Sequence, residues 1–242
     1  MIRDTDSSHF ARDVSRRTRR GRRALVLKSE KCAGGDLRVE SALERDIALM
    51  LDIDPRVKEL SAQPFTLELQ SNILLPSRKD YQLRPGSAPR FYTPDFLCQL
   101  HDGGRVAIDA KHSRFIQQFD TKRDEIENCL RQHGIAFMVI PETAVSPSVM
   151  QAVSPLHLLR AGYLAPYRAV AEEELNATLD ACPSWLAIEL SSRLASGRVG
   201  VLAGLLAGLL TADLSIPLFS PSSEVHAAHG DLSHLQLLEV CS

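Results

Sequence analysis

Two short segments carry acids and a base at spacings suited to phosphate chemistry. They are Thr93-Pro94-Asp95-Phe96 and, beyond a His101-Asp102-Gly103-Gly104 turn, Ile108-Asp109-Ala110-Lys111. Read as antiparallel strands joined by that turn, they bring Asp95 near the second strand. The period-two alternation of a strand puts Asp109 and Lys111 on one face. Two carboxylates and an ammonium on one patch of sheet are costly unless a counter-charge balances the acids. A hard divalent cation that demands oxygen ligands does so, Mg2+ first and Mn2+ as its substitute. Beside such an ion Lys111 can orient a water, or favour its hydroxide form, for in-line attack on a phosphodiester. The metal would neutralise charge on the phosphorane and the leaving oxygen. A third acid must come from outside the hairpin, and Glu44 is the expected supplier. The expected catalytic set is Glu44, Asp95, Asp109 and Lys111, with Glu44, Asp95 and Asp109 as metal ligands.

Each of these residues also has a plainer reading. Asp95 after a proline can cap a turn, Asp109 and Lys111 can be a surface pair of little energetic weight, and Glu44 can simply close a capping box. What favours the site is order: helix acid, Pro-Asp strand, turn, Asp-x-Lys strand, helix, strand.

The elements that must position these groups can be read from periodicity. Leu43, Ile47, Met50 and Leu51 recur at helical spacing, with Ser41 at the N-cap and Glu44 three residues on, and the helix should end near Asp54-Pro55. Phe65 to Leu69 alternates like a strand, and Pro76 to Pro89 reads as a loop or hairpin excursion. Phe91 to Leu100 and Arg105 to Lys111 form the hairpin. Phe119 to His133 is a charged amphipathic helix stopped by Gly134, and Ile135 to Ile140 is an apolar run of buried-strand length. This is an α/β layout, a mixed central sheet flanked by helices. Beyond it helices dominate. Gly197-Arg198 separates two of them, the run to Leu210 reads as a buried helix, and Ala203, Gly204, Ala207 and Gly208 leave room for close packing. Asp213-Leu214 and Ser222 to His226 are candidates for the short wing of a winged-helix module. The expected divisions are a basic arm at 1–38, a nuclease-type domain at 39–145 and a mainly helical, winged-helix-like domain at 146–242.

Of 242 residues, 44% are hydrophobic and 24% charged, which excludes a disordered or fibrous chain. The apolar run Val199 to Leu210 is too short to span a membrane, and the Arg-rich start lacks the apolar stretch of a secretory signal, so a cytoplasmic location without membrane association is expected. Cys32, Cys98, Cys129, Cys182 and Cys241 have no paired spacing, which argues against a disulfide framework or structural zinc and for packing roles. The net charge of −2 hides an asymmetry: residues 1–31 hold ten Lys/Arg against four Asp/Glu, whereas 151–242 hold four Arg, no Lys and nine Asp/Glu. Arg16, Arg17, Arg19, Arg20, Arg22 and Arg23 point to a polyanion, best a nucleic acid, against the bland reading of a solvated tail. Gln63, beside Pro64, is a candidate DNA contact with a turn role as its rival. His112 should face away from Lys111 as a structural or substrate-edge residue, and Ser113 and Arg114 would extend a basic floor.

From Val39 to Ile140 the chain resembles TnsA-type endonucleases, the subunits of heteromeric transposases that have a restriction-endonuclease-like PD-(D/E)xK fold. The resemblance runs over Ser41-Ala42-Leu43-Glu44-Arg45-Asp46, Leu51-Asp52-Ile53-Asp54-Pro55-Arg56-Val57, Gln63-Pro64, Tyr92-Thr93-Pro94-Asp95-Phe96 and Asp109-Ala110-Lys111. It implies catalytic roles for Glu44, Asp95 and Lys111. The middle acid of the family is usually Glu but varies, and Asp109, one carbon shorter, shifts a metal held there. The resemblance further implies cleavage of the non-transferred strand at the 5′ ends of a mobile element, with a DDE transposase cutting and joining the 3′ ends in cut-and-paste transposition. Double-stranded transposon ends, that transposase and an AAA+ ATPase regulator are the implied partners, the proteins contacting a winged-helix-like C-terminal region. The basic arm would add salt-sensitive phosphate affinity. The rivals are a stand-alone restriction or repair nuclease of the same fold, a non-catalytic DNA-binding assembly adaptor, and an interaction module whose motif is accidental.

Overall fold

The computed structural model describes residues 24–83, 86, 88–162 and 164–240. The arginines expected to bind DNA, Arg16, Arg17, Arg19, Arg20, Arg22 and Arg23, and the last cysteine, Cys241, lie outside the described residues. The chain divides into two compact units. One comprises Met1–Ala48, Arg56–Ala144 and Val240–Ser242, the other Leu49–Pro55 and Val145–Glu239.

In the first unit, β1 (Leu25–Lys28) and β2 (Asp36–Val39) form an antiparallel hairpin, so the described end of the basic segment is a paired ribbon. Helix α1 (Ala42–Ile53) starts where the sequence predicts. Ser41 Oγ accepts from the Glu44 amide at 3.1 Å and donates to Glu44 Oε1 at 2.8 Å, while Glu44 Oε2 accepts from the Glu40 amide at 2.8 Å. The capping box therefore uses both oxygens of Glu44.

The main sheet has the order β3 (Val57–Ala62), β7 (Phe96–Leu100), β8 (Arg105–Lys111), β9 (Ala136–Pro141). The first three run antiparallel and β8 pairs parallel with β9. A second sheet of three strands has β4 (Thr66–Glu68) between β5 (Ile73–Leu75) and β6 (Phe91–Tyr92). Two expectations need correction here. The strand expected over Phe91 to Leu100 is two strands in two sheets, because Pro94 has no N–H for a ladder and fixes its own φ. The central-sheet neighbour of β7 is β3, hidden in the sequence because a bulge between Val57 and Glu59 breaks its alternation, while the Phe65 to Leu69 strand belongs to the second sheet.

Helix α2 (Ile116–Gln132) follows a 3-10 turn at Ser113–Phe115 and begins three residues earlier than expected. It ends at Gly134, whose φ of 66° is the left-handed stop anticipated there. Ile126, Cys129 and Leu130 on its inner face pack with Phe65, Leu67, Ala107 and Ile135, joining the helix to both sheets. That core fixes β6, β7 and β8 as one rigid frame.

The second unit holds α3 (Pro147–Arg160), α4 (Leu164–Ala181), β10 (Ser184–Leu186), α5 (Ala187–Arg193), α6 (Gly197–Ala207), β11 (Leu210–Ala212) and β12 (Glu224–Ala227). The strands form an antiparallel sheet of order β10-β12-β11. The buried run expected to stay helical to Leu210 stops at Gly208, with φ 72°, and Leu210 opens β11. At Gly208 an added Cβ would stand 3.1 Å from the Gly230 backbone, a close approach only glycine permits. Among the described residues no helix is long and apolar enough to cross a membrane.

Candidate active site

Asp95 sits where the chain leaves one sheet for the other, between β6 and β7. Its backbone carbonyl accepts from the Gln63 amide at 2.9 Å, and its Oδ2 accepts from the Ala110 amide of β8 at 2.8 Å. Since Phe96 pairs with Ile108, Asp95 falls opposite Asp109, as hairpin geometry requires. Asp109 is 1% exposed, and Lys111, two residues along the same face, brings Nζ to 3.0 Å from Asp109 Oδ2. That contact is an ion pair without hydrogen-bond alignment, for Oδ2 has no hydrogen-bond partner although it is sealed from solvent. Lys111 Nζ also lies 5.2 Å from the centroid of the Phe119 ring.

Burial pushes the Asp95 carboxyl up to about 8; the charge of Asp109 adds to this and Lys111 opposes it. Glu44 is raised to about 7, first by burial and then by the charge of Asp95, which puts the helix acid within electrostatic reach of the strand acid. The Tyr92 phenol is held well above its ordinary value, by burial and then by Asp109 and Asp95. Acids crowded into low dielectric thus retain protons at neutral pH for want of positive charge.

Among the described residues no group of three or more His, Cys, Asp or Glu side chains closes into a ready cage for a metal. In the structure Asp95 stands opposite Asp109, and Glu44 lies in its capping box within electrostatic reach of Asp95. Two carboxylates suit Mg2+, which keeps several waters and takes substrate phosphate oxygens as further ligands. Asp109 Oδ2, buried without an aligned hydrogen bond, and the raised Asp95 are what a cation would satisfy. These residues fit Mg2+ or Mn2+.

The acids open onto a cleft of about 730 Å³ whose walls include Arg78, Arg90, Phe91, Tyr92, Phe119 and Lys122. Arg78 stacks at 4.7 Å on Phe91, and Arg90 is paired with Glu125. Arg90 is also held through its amide by Glu68, a carboxylate 1% exposed; burial would raise Glu68, but the Ser71 hydroxyl and the amides of Ser71, Arg90 and Gln70 outweigh it and lower it. Sequence reasoning missed Tyr92, Arg78, Arg90 and Lys122 as parts of a site. Tyr92 could have been found by its place three residues before Asp95. Arg78 lies in the segment read as loop and Arg90 just beyond it, and only tertiary folding brings them to the acids.

Gln63, expected at the DNA, is 4% exposed with a positive φ of 45°; its part is to hold the Asp95 backbone from within. His112 points away from the acids and lies 3.7 Å from Glu142. Ser113 donates to Glu142 through both its amide and its hydroxyl and so lowers that acid to about 2, while Arg114 covers Phe115 at 4.6 Å. Cys98 and Cys129 are buried, and Cys32 and Cys182 are partly so.

No curated protein matches the sequence. Residues 54–142, which hold Asp95, Asp109, Lys111 and most of the cleft, match the family model described as TnsA-like endonuclease N terminal. This segment is similar to the TnsA-like endonuclease N-terminal domain.

Proposed function

We propose that the protein is a divalent-metal-dependent DNA endonuclease subunit of a heteromeric transposase. It cleaves the non-transferred strand at the 5′ ends of a mobile element during cut-and-paste transposition. The observation that carries this reading is the meeting of Asp95, Asp109 and Lys111 at the base of a basic cleft, inside the segment that matches the endonuclease family.

Asp95 and Asp109 would hold Mg2+ or Mn2+, with Glu44 beside Asp95 adding negative charge at one remove. When bound, the ion supplies positive charge to a scissile phosphate and its leaving oxygen. Lys111, kept near Asp109 and partly exposed at 27%, can donate to an attacking water or to a non-bridging phosphate oxygen. Arg78 and Lys122 on the cleft walls grip the backbone phosphates on either side, and the aromatic lining limits access of bulk water.

The second unit is proposed to be winged-helix-like. What supports this is its order of helix α4, strand β10, helices α5 and α6, strand β11, a loop and strand β12, with β12 in the middle of the sheet. Helix α6 offers only Arg198 as a charged side chain, and Arg198 is stacked at 4.8 Å on Phe219. Such a helix is unsuited to reading base edges and better suited to protein contacts. The partners this reading names are a DDE transposase and an AAA+ ATPase.

The test is reconstitution with a DDE transposase and an AAA+ ATPase of such an element, on DNA carrying the element's ends. Nicking at the 5′ ends that needs Mg2+ and vanishes in Asp95→Ala supports the proposal. Equal nicking by Asp95→Ala and Lys111→Ala would leave a non-catalytic adaptor. Efficient cutting by the chain alone would favour a stand-alone nuclease.

A further inference from the structure

Arg90, at the entry to β6, lines the cleft, and its guanidinium meets Glu125 of α2, which does not. The two form a forked pair: Nη1 donates to Oε2 at 3.0 Å and Nη2 donates to Oε1. A guanidinium offers that same fork to a phosphate, so the Glu125 carboxylate occupies the place a phosphodiester would take.

The fold does not need this pair. On the strand side the Arg90 amide donates to Glu68 Oε1 at 3.0 Å and the Arg90 carbonyl accepts from the Leu69 amide at 2.9 Å. Glu68 is itself fixed, buried and bonded by the Ser71 amide and hydroxyl. On the helix side α2 is anchored by Ile126, Cys129 and Leu130 in the core. The paired side chains lie at the surface, 53% and 33% exposed, where an ion pair contributes little to stability. Backbone and helix therefore stay in place when the pair opens, and only the side chains change partners.

We infer that Arg90 is a phosphate ligand held in reserve by Glu125. In the DNA-free protein the carboxylate fills the fork, and a backbone phosphate entering the cleft displaces it. The exchange weakens capture of unrelated duplex, because each phosphate that takes Arg90 must first part it from Glu125 and then lie beside a bare carboxylate. The inference rests on the DNA-cleaving reading above.

The experiment is an electrophoretic shift titration of the full-length protein with an unrelated duplex at low salt, in the Asp95→Asn background. Glu125→Gln, Arg90→Met, the two combined and Glu127→Gln are compared, with melting temperatures measured alongside. Glu127 lies two residues on, on another side of α2 and paired with Arg131, and controls for simple loss of a negative charge. Glu125→Gln is expected to bind about threefold or more tightly, with the gain absent when Arg90→Met is added and absent in Glu127→Gln. Affinity no greater in Glu125→Gln overturns the exchange and leaves the DNA reading standing. A gain that survives Arg90→Met, or that Glu127→Gln reproduces, also overturns it, because the effect is then one of overall charge. Weaker binding by Glu125→Gln with a lower melting temperature overturns it too and makes the pair a brace between β6 and α2. No duplex binding by the Asp95→Asn parent overturns the DNA reading beneath it.

Discussion

Lys111 Nζ stands 3.0 Å from Asp109 Oδ2, the consequence of two side chains leaving one face of β8 two positions apart. Lys111 also opposes the rise in proton affinity at Asp95. One ammonium therefore serves two acids on neighbouring strands. It is the positive charge that works against the burial and the Asp109 charge that raise Asp95.

Replacing Lys111 with Met keeps most of the apolar stem over Phe119 and removes the charge. The expected result is a loss of DNA nicking of about 100-fold or more, the scale for deleting a preorganised charge from a transition-state site. Far-UV dichroism should be unchanged. Nicking within a few-fold of wild type would remove Lys111 from the chemistry.

The acids make stability depend on pH in a direction that can be worked out. Asp95 titrates at about 8 in the fold against an ordinary 3.8, and Glu44 at about 7 against 4.5. Between those limits the folded protein holds protons that the unfolded chain has released, so the ion-free protein loses stability as pH rises across that window. Asp95→Asn removes the larger effect. Its melting temperature in EDTA should exceed that of wild type by a margin that widens from roughly pH 5 to pH 8. A margin independent of pH would contradict the assignment. Adding Mn2+ at the upper end should stabilise wild type and leave Asp95→Asn unmoved.

Much of the site is legible in the sequence because it is built from local patterns. The capping box at Ser41 and Glu44, the turn at Gly103-Gly104 and the period of β8 each follow from a few adjacent residues, and together they bring Asp95, Asp109 and Lys111 into register. What stays hidden depends on the chain turning between sheets. Pro94 divides one apparent strand into two, and the second sheet it creates brings Tyr92 into the same cleft as Asp109, which no spacing reveals. Gln63 is polar enough for a surface role, yet the fold needs its amide under Asp95, so its side chain is buried. Glu44 shows both sides at once: its capping box is plain from four residues, whereas its electrostatic reach to Asp95 comes only from the packing of α1.

Arg78 and Lys122 reach the cleft from a 3-10 turn and from α2. If both meet backbone phosphates, each Ala substitution should weaken binding to unrelated duplexes alike and reduce the slope of log K against log salt by about one. Electrophoretic shifts at three or more salt concentrations, in an Asp95→Asn background that cannot cut, would measure it. An unchanged slope in the double variant would place the DNA elsewhere.

Gly204 tests the packing of the second unit independently of any nuclease role. A Cβ there would stand 2.5 Å from Leu175 Cδ1 and 2.9 Å from Leu210 Cδ1, so α4 and the start of β11 would both have to give way. Overpacking of this kind costs about 1–3 kcal/mol. Trp185, the one tryptophan, lies in β10 of the same unit with its indole N–H donating to Cys182 O at 2.9 Å. Its fluorescence in a urea titration should therefore report Gly204→Ala unfolding at lower denaturant than wild type. Ion-dependent melting of the first unit, read at the acids, should be unaffected. A midpoint equal to that of wild type would mean that α6 does not pack against Leu175 as closely as the glycine implies.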